Sequence, residues 1–116
     1  MALILETNEN EQEGLLQSHY YKASYEQLKE LYLEIIQKQG MRLVSIDDNY
    51  CEIFSERPHM TVMAKIIEQN LRETSIDFYI SAEYLFGNKK KALEFVDSIY
   101  RAIEKKYELK GLGLHK

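Results

Sequence analysis

Hydrophobic positions in this chain repeat at helical spacing in two segments and at strand spacing between them. Leu28, Leu31, Tyr32, Ile35 and Ile36 fall at i, i+3, i+4, i+7 and i+8, one stripe of an amphipathic helix. Ser24 before it, with Gln27 three residues on, has the form of a capping box, and Gly40 supplies a left-handed stop. A second stripe runs through Ala92, Val96, Ile99, Tyr100, Ile103 and Tyr107, widened by Leu93 and Phe95. Asn88, preceded by Gly87, is its expected N-cap, and the helix should extend over about 20 residues, roughly 30 Å.

Between the helices the period drops to two. Arg42, Val44 and Ile46 alternate with Met41, Leu43 and Ser45; Asp47-Asp48-Asn49 is turn chemistry; Tyr50 to Glu56 resumes as a strand. Arg57-Pro58-His59 then breaks the pattern. Residues 60–69 fit either a strand or a helix, and the strand is favoured by Thr61-Val62 and by the clear alternation of Ser75 to Leu85 that follows. Residues 15–22 are equally double-valued. Ala2 to Leu5 admits a further short strand, residues 1–14 read as an acidic arm, mobile unless tethered, and residues 109–116 read as a tail.

The expected fold is therefore α+β in a single domain. An antiparallel sheet of about four strands, plus an N-terminal strand if 2–5 pairs, is packed on one face by two helices. Ile53, Val62, Ala64, Ile66, Ile76, Phe78 and Ile80 should face the helices. The opposite face then carries Tyr50, Phe54, Met63, Ile67 and Tyr79 among Glu52, Lys65 and Asp77. Apolar and aromatic groups among a few charges have the composition of an interface. The alternative is that the N-terminal arm, with Tyr20 and Tyr21, lies over this face within one chain.

Charge adds one constraint. The net charge of −4 arises wholly from Glu6, Glu9, Glu11 and Glu13, because residues 1–21 contain no Lys or Arg and the remainder is balanced. A neutral body argues against nucleic acid as a partner. One cysteine, Cys51, precludes an internal disulfide and fits a cytoplasmic, reducing compartment. Ala2-Leu3-Ile4-Leu5 is too short an apolar run for a signal peptide, and no stretch approaches the ~20 apolar residues of a membrane span, so no membrane partner is expected.

Catalytic signatures are sparse. There is no Gly-rich phosphate loop and no cysteine pair, so no cofactor or metal is expected. Glu56-Arg57-Pro58-His59 has a di-iron spacing once, where two copies are needed. Asp47-Asp48-Asn49 lacks the glycine and distal Glu of a calcium loop. Cys51 with His19 or His59 would make a thiolate pair only if the fold joins them. Lys89-Lys90-Lys91 in a first helical turn opposes the macrodipole; with the Asn88 amide it forms a candidate anion site, against which stands a plain solvated helix start.

Three functional readings follow. The first is a non-catalytic interaction module, self-associating as a homodimer through the outer sheet face. The second is a small-ligand-binding or enzymatic domain with a pocket between sheet and helices near His59 and Cys51. The third is a nucleic-acid-associated protein using Lys89–Lys91 with Arg101, Lys105 and Lys106.

Overall fold

The alternation between residues 42 and 82 closes into a four-strand meander. The computed structural model describes residues 2–115, so Met1 of the expected arm and Lys116 of the expected tail lie outside the described residues. In order, β3 (Arg42–Asp47), β4 (Glu52–Arg57), β5 (Met60–Asn70) and β6 (Glu73–Ala82) pair antiparallel with their sequence neighbours. Pro58 and His59 alone join β4 to β5, with His59 at φ +70°, so the lone proline sits in a tight hairpin turn where its missing N–H costs nothing.

The sheet has seven strands rather than about four. The arm contributes β1 (Leu3–Glu6) and the segment read both ways contributes β2 (His19–Tyr21), entered through a single 3-10 turn at Gly14–Leu16. Both pair with the same edge of β6, β1 along Tyr79–Ala82 and β2 along Thr74–Ile76. The tail contributes β7 (Leu109–Leu112), which pairs with β2 and ends the sheet. These strands are three or four residues long, too short for a period to register, and β2 is buried on both faces, which removes alternation altogether.

Thr7 splices β1 to β2. Its N–H donates to the Phe78 carbonyl at 3.0 Å, its hydroxyl oxygen accepts from the Phe78 N–H at 2.9 Å, and its hydroxyl donates to Asp77 Oδ1 at 2.7 Å. Ser18 donates to the other oxygen, Oδ2, at 2.6 Å as the chain returns. Residues 8–17 form the excursion between these two hydroxyls.

Helices α1 (Tyr25–Lys38) and α2 (Asn88–Glu104) cover one face, α1 over β5 and β3, α2 over β6 and β1. The capping box at α1 is complete: Gln27 N donates to Ser24 Oγ and Ser24 N donates to Gln27 Oε1. Gly40 terminates the segment at φ +75°. The N-cap of α2 is Gly87 rather than Asn88: at φ +73° the cap is left-handed, which favours glycine, while Asn88 Oδ1 accepts from the Tyr84 N–H at 2.6 Å. The core between layers contains Leu28, Tyr32, Ile35 and Ile36 of α1, Ala92, Phe95, Val96, Ile99, Tyr100 and Ile103 of α2, and the expected Ile53, Val62, Ala64, Ile66, Ile76, Phe78 and Ile80. Leu31 is half-buried, at the margin of its stripe.

Candidate functional site

The outer sheet face divides into a closed and an open half. At β2 and β7 it is closed. Tyr20 projects onto this face and is buried; its hydroxyl donates to Glu9, and its ring lies 5.1 Å from that of His115. Glu73 is buried beside it and binds Lys110 and, at 2.6 Å, His115 Nε2. These two partners hold the Glu73 carboxyl below its usual range. Tyr21, one residue on, points to the helices and donates to Glu104. Tyr20 and Tyr21 thus occupy opposite faces, and the arm enters the sheet at the β6 edge instead of lying over the rest of the face.

Over β3 to β6 the face is open. Phe54 stands opposite Met63, and Met63 stands opposite Tyr79, so three strands place these side chains in one cross-strand row. Phe54 is 38% exposed and Tyr79 42%. Val44, 50% exposed, joins them: a bulge between Leu43 and Ser45 turns it to this side, and it lines a shallow depression with Phe54, Met63 and Tyr79. Strict alternation put Val44 with Ile46, and a bulge leaves no trace in the pattern. Polar rows bound the apolar one. On one side Glu52, Lys65 and Asp77 stand in register, with Lys65 Nζ 3.9 Å from Glu52; on the other, Arg42 pairs with Glu56 beside Thr61 and Ser81.

Of the five side chains expected to share this surface, Phe54, Met63 and Tyr79 are brought together. Ile67 faces the same way, opposite Ser75, but Lys65 separates it from Met63. Tyr50 is not on a strand. Asp47 Oδ1 accepts from the amides of Asn49 and Tyr50, and Cys51 takes φ +58°, so the turn runs through Cys51 and β4 opens at Glu52.

The lysine triplet does not converge on one point. Lys90 reaches back to Glu94 at 4.0 Å, and the Lys91 ammonium stands 4.1 Å from the Tyr84 ring centre. Cys51 and His59 occupy opposite ends of β4, a strand of 6 residues or about 20 Å, and His19 is buried under α2, stacked on Tyr100 at 3.4 Å. Among the described residues no group of three or more His, Cys, Asp or Glu could hold a metal ion, and no helix is long and apolar enough to cross a membrane.

Two partly or fully buried titrating groups, Asp77 and His19, gave no sequence signal, because each sits in a strand position indistinguishable from its neighbours. Burial pushes the Asp77 carboxyl up to about 6, against the bonds from Ser18 and Thr7 that favour its charged form. Burial lowers His19 to about 4, against its Nδ1 bond to the Gln17 carbonyl. Comparison with family models, with curated proteins and with solved structures finds no match.

Proposed function

We propose that this chain is a non-catalytic interaction module that pairs with a second copy of itself through the open half of the outer sheet face. The observation that carries this reading is the Phe54–Met63–Tyr79 row, in register across three strands and extended by Val44, on the face that bears no helix. Burying such side chains is favourable by roughly 1.5–3 kcal/mol each when complete. The rims carry both signs of charge, which lets each rim meet its symmetry mate without like-charge repulsion in an isologous contact.

The rival readings draw less from the geometry. A pocket reading based on Cys51 and His59 needs groups that β4 holds apart. A nucleic-acid reading needs Lys89–Lys91 to act with Lys105 and Lys106, which stand at the other end of a 17-residue helix, about 25 Å away, and Arg101 already pairs with Asp97 at 2.8 Å.

The test is the mass in solution. Sedimentation equilibrium of the wild type at tens of micromolar should give twice the monomer mass. Met63→Lys should give the monomer with unchanged circular dichroism, because a charge buried at the centre of the row would lack a partner. Tyr79→Lys, at a position already half open to solvent, is the second variant should Met63→Lys fail to fold. A monomeric wild type overturns the reading.

A further inference from the structure

At one end of the sheet the connection from β6 to α2 carries two consecutive large hydrophobic side chains in water. Leu85 is 88% exposed and Phe86 79%. The base of this connection is tied down. Glu83 N–H donates to the His59 carbonyl at 2.8 Å, Tyr84 N–H donates to Asn88 Oδ1 at 2.6 Å, and the Tyr84 ring is flanked by His59 at 5.5 Å and by the Lys91 ammonium. The next two residues are therefore presented outward from a fixed footing. Lys89, Lys90 and Lys91, all exposed, follow in the first turn of α2. Cations there work against the helix dipole, offset at Lys90 by its i,i+4 pair with Glu94 and at Lys91 by the Tyr84 ring, while Lys89 has neither contact. The neighbouring acids are Glu83, Glu94 and Asp97, of which Glu94 is engaged with Lys90 and Asp97 with Arg101.

We propose that the Leu85–Phe86 tip and Lys89–Lys91 dock this protein peripherally on an anionic lipid surface. Charge complementarity selects the occupant: an apolar tip set just ahead of three ammonium groups matches a surface with hydrocarbon below and phosphate and carboxylate above. Shape points the same way. The tip is convex, and a fluid interface closes around a protrusion, whereas a protein partner would have to offer a matching cavity. The body of the chain is neutral; the acidic arm passes beside α2, where Leu15 lines a depression with Lys89, Lys90, Leu93, Glu94 and Asp97, so the attraction acts through the exposed ammonium groups at the tip itself. The expectation that a membrane plays no part rested on the lack of a spanning segment, and a two-residue tip is invisible to that criterion.

The chain contains no tryptophan, so Phe86→Trp places a single fluorescent reporter at the tip. Wild-type protein should float with vesicles of mixed phosphatidylcholine and phosphatidylserine and not with phosphatidylcholine alone. The Phe86→Trp emission should shift to the blue on the mixed vesicles and be quenched by brominated acyl chains. Lys89→Ala/Lys90→Ala/Lys91→Ala should weaken partitioning by about tenfold or more, and Leu85→Ser/Phe86→Ser should abolish it with circular dichroism unchanged. Absence of flotation overturns the proposal, as does flotation that ignores phosphatidylserine or survives Leu85→Ser/Phe86→Ser. Thermal stabilisation by inorganic phosphate without vesicle binding would assign the lysines to a free anion and overturn it too.

Discussion

Asp77, half-buried, and His19, buried, are groups whose titrations oppose each other. Asp77 rises from an ordinary 3.8 to about 6, so the fold favours its neutral form; its contribution to stability is complete below about pH 4 and is lost as pH rises through about 6. His19 falls from 6.5 to about 4, so the fold again favours the neutral form, here present above about pH 6.5 and lost as pH falls through about 4. Each shift of about two units corresponds to about 3 kcal/mol, and the two effects overlap between about pH 4 and pH 6.5. Wild-type stability should therefore vary little from these groups across that window. Asp77→Asn should lose stability on acidification, and His19→Phe, which keeps a ring on Tyr100, should gain it; urea melts at the two ends of the window measure both. A core residue gives a simpler outcome. Ile80 is fully buried, and Ile80→Ala should cost about 2–5 kcal/mol in a denaturant melt. Ile80 was legible as core because alternation from Ile76 to Ala82 is unbroken, whereas nothing in that same alternation distinguishes the half-buried, hydroxyl-bound Asp77 from a solvated one.

The elements that alternation and capping made legible are those long enough to repeat a period. α1, α2 and β3 to β6 fall where their stripes predict, with departures confined to ends and to the β3 bulge. β1, β2 and β7 escaped because a strand of three or four residues offers one or two repeats, and in β7 Gly111 reads as loop chemistry. For the candidate surface the same reasoning located Phe54, Met63 and Tyr79, failed at Tyr50 where turn bonding displaces the strand start, and missed Val44. The splice between β1 and β2 depends on one hydroxyl. Thr7→Val keeps the shape but leaves the Phe78 N–H without its acceptor and Asp77 Oδ1 without its donor, Ser18 alone still bonding Oδ2. The expected loss is about 1–3 kcal/mol, with Thr7→Ser recovering most of it, as read from denaturant midpoints at unchanged slope.

For the molecule as a whole, the position of a charge on the outer face should matter more than its presence. Met63 touches both neighbours of the apolar row, while Ile67 lies beyond Lys65. Met63→Lys should abolish self-association, and Ile67→Lys should only weaken it, a contrast that light scattering over a concentration series resolves. Equal effects would extend the contact across the Glu52–Lys65–Asp77 row.

Strand order also sets a sequence of events in time. β3 to β6 are contiguous in the chain and pair through short turns, so this unit can form from local closures alone. β2 sits between β6 and β7, so one side of β2 stays unpaired until residues 109–112 have been synthesised. The Glu73–Lys110 contact beside Tyr20 must wait for the same event, and the Glu9 and Glu73 contacts to His115 for the residues that follow it. Native-state hydrogen exchange should accordingly find the β2–β7 amides opening well before those of β5 and β6, and β7 amides as slow as those of β6 would show a single cooperative unit. Birth order thus leaves one side of β2 waiting on β7, and a ribosome-bound chain would hold its meander, with β1 on β6, before β2 is closed on both sides.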